Sequence, residues 1–173
     1  MSSTPEFDII VYGATGYTGR LVAEYLSQEY ADDSGLRWAM AGRSQSKLEA
    51  VRDEINAPAD TPLVVADTGD ADSLRAMAER TRVVLTTVGP YQLYGSDLVR
   101  ICAETGTDYV DLCGEPAWMR QMIDAHGETA KQSGARIVFS CGFDSIPFDL
   151  GVYFLQQAAQ EKFGAALPRV KGR

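Results

Sequence analysis

The sequence is poor in the residues that most often carry chemistry. It has a single histidine, His126, which rules out any site built from several histidines within it. Its three cysteines, Cys102, Cys113 and Cys141, are an odd number at wide spacing. That pattern signals neither a disulfide framework nor a zinc site, and it reads as the reduced thiols of a cytoplasmic protein. No apolar stretch approaches the roughly 18 residues of a membrane span. The opening "MSSTPEFD" lacks the charged region and apolar core of a signal peptide.

Positive charge is also scarce. Sixteen Lys and Arg stand against 24 Asp and Glu, a net charge of −8, and no basic run occurs. Binding nucleic acid through its phosphates needs clustered cations, so that class of function is disfavoured. A small anion can still be held by a few local groups. No GxxxxGK[ST] occurs, which removes the P-loop. None of the eight tyrosines is followed four residues later by lysine, which removes the Tyr-x-x-x-Lys proton donor of short-chain dehydrogenases.

What the chain does have is alternation. Strand-like runs at 7–12, 36–41, 62–66, 82–88, 108–112 and 136–140 are each followed by apolar residues at helical spacing. The second helix is expected to start in a capping box at "SKLE", 46–49. The fifth helical stretch should open at Pro116 and end near Gly134, and an apolar helix should run from about Pro147 to Phe163. Strands joined by helical crossovers cannot form hairpins and require a parallel sheet. Six such units predict a doubly wound α/β Rossmann sheet in the order 3-2-1-4-5-6, with helices on both faces.

Directly after the first strand comes "GATGYTG", in which Gly13, Gly16 and Gly19 stand three apart. In a dinucleotide fold this turn must bring backbone N–H groups and the positive end of a helix to a pyrophosphate. Gly13 would turn the strand, Gly16 would admit the phosphate, and Gly19 would let helix and strand pack. The second strand ends in Arg43 and Ser44 rather than in the carboxylate that bonds a ribose hydroxyl in NAD enzymes. A guanidinium there suits the 2′-phosphate of NADP. Asp32 and Asp33 precede the second strand and so fall at the wrong end of the sheet. Asp67, at the end of the third strand, is placed either to touch the adenine edge or, like Thr68 and Asp70, to cap a helix. Val88, Gly89 and Pro90 close the fourth strand, where the nicotinamide half would lie, although Pro90 also suits a helix start. Asp144 is placed either to assist substrate or, the favoured reading, to cap the last helix, and His126 is expected to be a packing or surface residue.

"GATGYTGR", "AGRS", "TVGPY", "YVDLCGE" and "GFDSIPFDLG", in this order, resemble the saccharopine dehydrogenase-like oxidoreductases, especially the trans-acting enoyl reductase branch. The resemblance implies an NADP-binding Rossmann domain over residues 1–163. Residues 164–173 would begin a linker to a substrate domain absent from this chain. It also implies that Gly13, Thr15, Gly16, Tyr17, Thr18 and Gly19 form the phosphate turn and that Arg43 and Ser44 meet the 2′-phosphate. Val88, Gly89 and Pro90 would border the nicotinamide. Residues Cys113 to Glu115 and Gly142 to Ser145 would face the crevice. The expected function is hydride transfer between NADPH and a small molecule held by the missing domain. A non-catalytic NADP sensor of NmrA-like type is the rival reading. No side chain stands out as the proton donor, and homodimerisation is left open.

Overall fold

In the computed structural model, residues 4–30 and 35–172 are described; Asp32 and Asp33 lie outside them. The elements follow the chain as β1 (Phe7–Tyr12), α1 (Tyr17–Glu29), β2 (Trp38–Gly42), α2 (Gln45–Glu54), β3 (Leu63–Val65), α3 (Ala71–Ala78) and β4 (Thr81–Thr86). Then come α4 (Tyr91–Tyr94), α5 (Ser96–Thr105), β5 (Asp108–Asp111), α6 (Pro116–Ser133), β6 (Ile137–Val138) and α7 (Ile146–Phe163). The six strands are parallel and ordered β3-β2-β1-β4-β5-β6. This is the doubly wound Rossmann sheet that the alternation predicts.

Alternate side chains of each strand build separate cores on the two faces of the sheet. On one face Ile10, Tyr12, Ala41, Val84 and Tyr109 pack with residues of α3, α5 and α6, Leu74, Ile101 and Trp118 among them. On the other, Val11 and Met40 pack with Ala23 and Leu26 of α1 and Leu48 of α2. Both faces of the central strands are covered, which is why they read as largely apolar runs rather than as alternating ones.

Several helix ends differ from expectation. The cap of α2 is Ser44, whose hydroxyl accepts from the Lys47 N–H at 3.4 Å, two residues ahead of the expected box. Asp70, one of the caps the sequence offered, does cap α3 by accepting from the Asp72 and Ser73 N–H groups. Asp144 does not cap α7; the cap position is Ser145, and no side chain bonds there. By contrast, α5 and α6 stop at Gly106 and Gly134, both with left-handed backbone. The last helix leaves Phe148, Leu150, Tyr153, Phe154 and Phe163 exposed. Beyond it, the chain is pinned back by Gln156, whose side chain bonds both the N–H and the carbonyl of Leu167.

Candidate functional site

Strand order reverses between β1 and β4, so a crevice opens at their carboxyl ends. It is lined first by the glycine turn. Gly13 has φ +93°, and a Cβ there would stand 2.7 Å from Thr87 Oγ1 and 2.8 Å from Val88 Cγ2. The N–H groups of Gly13 and Ala14 donate to the Ala41 carbonyl of the neighbouring strand, and Gly16 N–H closes the turn on Gly13 O. A Cβ on Gly19 would overlap the Gly13 carbonyl, its carbon 2.6 Å away, so a bare Gly19 brings α1 against the turn.

Helix α1 starts at Tyr17 behind Gly16, and no side chain caps it. Its first-turn N–H groups have no acceptor within the helix. The neighbouring helices α2 and α3 instead satisfy their N-termini with Ser44 and Asp70. An uncapped, positively polarised helix end behind a glycine turn fits an anion such as a pyrophosphate.

A recess of about 280 Å³ brings Gly13, Thr15 and Gly16 together with Arg43 and with Val88 and Gly89 across the sheet. Arg43 is exposed and forms no ion pair among the described residues. Tyr12, Gly42, Thr68, Thr87 and Tyr94 complete the lining. Tyr12 and Thr87 were hidden in the apolar strand pattern, because only the sheet shows which strand residues reach its edge. Burial pushes the Tyr12 hydroxyl's pKa well up; the Asp67 charge adds to this and the Arg43 charge opposes it.

Other predicted residues lie outside this recess. Tyr17 is 75% exposed on α1. Ser44 is spent on the α2 cap. Asp67 folds over its own turn, accepting from Gly69 N–H at 2.9 Å. Pro90 follows Gly89 through a cis peptide bond and occupies the cap position of α4. Gly19 is buried under the turn.

Thr18 instead lines a second recess, of about 410 Å³, with Leu112, Gly114, Gly142, Phe143 and Asp144. The loops that follow β5 and β6 therefore meet α1 on the far side of the turn. Asp111, only 3% exposed, ties these loops together. One carboxylate oxygen accepts from Cys113 N–H at 3.0 Å and Ser140 N–H at 2.8 Å, and the other accepts from the Tyr109 hydroxyl at 2.8 Å. Burial raises the Asp111 pKa, against the pull of these donors. Ser140 takes a left-handed φ of 60° to make its bond, which ends β6 after two residues instead of the expected five.

No activated thiol is present among the described residues. Burial raises the pKa values of Cys113 and Cys141, and that of Cys102 to about 12. His126 sits half-buried beside Met122 and Ile123 in a surface recess on α6, away from the crevice.

The model of the saccharopine dehydrogenase NADP-binding domain matches residues 9–138. The chain belongs to that family. This NADP-binding domain is 52% identical over 157 residues to the trans-acting enoyl reductase of Mycobacterium leprae, covering 90% of this chain and 37% of that protein. Against the trans-acting enoyl reductase of Mycobacterium ulcerans the identity is 50% over 161 residues, 92% of this chain and 38% of the relative. The chain thus spans under two fifths of the length of these relatives. In fold it resembles saccharopine dehydrogenase (L-Glu forming) from Saccharomyces cerevisiae, with a TM-score of 0.69 and 15% identity over 89% of this chain and 32% of the other.

Proposed function

We propose that this domain lays NADPH along the crevice as the cofactor-binding part of an oxidoreductase. Gly13, Thr15 and Gly16, with the N-terminal N–H groups of α1 at Tyr17, Thr18 and Gly19, take the pyrophosphate. Arg43 takes the 2′-phosphate, with Ser44 beside it and Asp67 toward the adenine. Val88, Gly89 and Pro90 border the nicotinamide. The observation that carries this reading is the pairing of an uncapped α1 with an unpartnered Arg43 across one recess.

The relatives' name, trans-acting enoyl reductase, supports hydride delivery to an enoyl C=C bond. NADPH would supply the hydride, and the chain's own residues would hold and orient the cofactor. A substrate-holding domain belongs to this reading, entering from the side of the second recess, with residues 1–163 as the cofactor domain and the stretch from 164 as the start of a connection. A cytoplasmic location and a homodimer suit an enzyme of this kind.

Titrating the chain with NADPH while following nicotinamide fluorescence tests the reading. A saturable enhancement, reversed by adenosine 2′,5′-bisphosphate, is expected. Absence of any saturable change would overturn it.

A further inference from the structure

The turn that closes β4 is held from a distance. Helix α4 begins at Tyr91, and its cap residue, Pro90, has no side-chain oxygen to offer. Its first two N–H groups have no acceptor within the helix. Glu115, on the loop between β5 and α6, supplies both. One carboxylate oxygen accepts from Tyr91 N–H at 2.8 Å and the other from Gln92 N–H at 2.9 Å. Bonds from backbone N–H groups to an ionised carboxylate are among the stronger kinds in proteins.

Glu115 is itself held in place. Its N–H donates to Cys113 Sγ at 3.3 Å, and the Cys113 carbonyl accepts from the Ser140 hydroxyl at 2.7 Å. The body of α4 has anchors of its own. The Tyr91 ring packs on Trp118 with centroids 5.7 Å apart, and the Tyr91 hydroxyl donates to the Thr86 carbonyl at 3.3 Å. What Glu115 adds is a fixed point at the very start of the helix, two residues past Gly89. Val88, Gly89 and Tyr94, on either side of that point, line the recess.

We propose that Glu115 is a positioning residue for the nicotinamide half of the cofactor: its carboxylate sets the wall formed by Val88 and Gly89 by clamping the N–H groups of Tyr91 and Gln92. The inference rests on reading the crevice as the NADPH site. Glu115 holds the backbone that follows Val88 and Gly89 and makes no bond to Arg43, so its loss should be felt at one end of the ligand only.

Calorimetric titration of the wild type, Glu115→Gln and Glu115→Ala with NADPH and with adenosine 2′,5′-bisphosphate tests this. Glu115→Ala should weaken NADPH tenfold or more, and Glu115→Gln, which keeps one acceptor oxygen, by less. The bisphosphate, which lacks a nicotinamide, should bind all three within twofold. Equal weakening of both ligands would reduce Glu115 to a general structural role and overturn the proposal, as would unchanged NADPH affinity. A wild type that binds neither ligand would overturn the cofactor reading itself and this inference with it.

Discussion

Gly19 and Gly13 are packed so closely that a methyl group on the first would collide with the carbonyl of the second. Gly16, between them, is different. A Cβ there meets only the Gly13 oxygen, at 3.3 Å, and otherwise faces open space. The three glycines therefore serve two purposes, and substitution separates them. Gly19→Ala should cost roughly 1–3 kcal/mol or more through overpacking, lowering the unfolding midpoint with or without nucleotide. Gly16→Val should leave the unfolding midpoint in urea nearly unchanged, yet abolish NADPH binding by filling the space above the helix end. A Gly16→Val protein that still binds NADPH would show that the phosphate lies elsewhere.

Asp111 offers a test through pH. Burial raises its pKa, so the fold favours the protonated form. The stability contributed by such an acid is fully present below its unfolded pKa and lost as pH rises through the folded one. Asparagine can keep both N–H acceptances on its oxygen and donate from nitrogen to the Tyr109 hydroxyl oxygen. Asp111→Asn should thus lie within about 1 kcal/mol of the wild type at pH 7, whereas Asp111→Ala, which strands three donors, should lose about 3 kcal/mol. As pH falls through the carboxylate range, the wild type should gain on Asp111→Asn. Glu6 and Asp8, held low by hydrogen bonds from Arg80 and Arg37, act in the opposite sense but cancel between the two proteins. Urea unfolding at several pH values measures the difference, and a wild-type stability that falls relative to Asp111→Asn as pH rises has the predicted sign.

The exposed side of α7 predicts association. Tyr153, Phe154 and Phe163 are each more than 60% exposed, and a cluster of exposed aromatic side chains is normally covered by a partner surface. Light scattering after size exclusion should show a mass that rises with concentration. Phe154→Lys should reduce that rise and leave NADPH affinity within twofold of the wild type. A strictly monomeric wild type would contradict this expectation.

The sheet was legible in the sequence because its signals are local. Phe7 to Tyr12 forms an apolar run, Gly106 and Gly134 each stop a helix, and the glycines follow the first strand. The caps were harder to read. Ser44 and Ser46 both suit a helix start, and only the backbone geometry selects Ser44. Asp144 has the right side chain for a cap but stands one residue early. The Glu115 clamp and the Asp111 knot were not legible at all. Each joins loops more than 20 residues apart, and no periodicity registers which loops meet at the edge of a sheet. The same holds for Tyr12, which reads as a core residue until the sheet places it beside Arg43 and Asp67.

The central claim is that Arg43 reads the 2′-phosphate. Its most direct test is calorimetric titration of the wild type and Arg43→Ala with NADPH and NADH. The wild type should prefer NADPH by tenfold or more, about 1.4 kcal/mol, and Arg43→Ala should bind the two alike by losing affinity for NADPH alone. Equal binding of both by the wild type, or a preference that survives the substitution, would contradict the account.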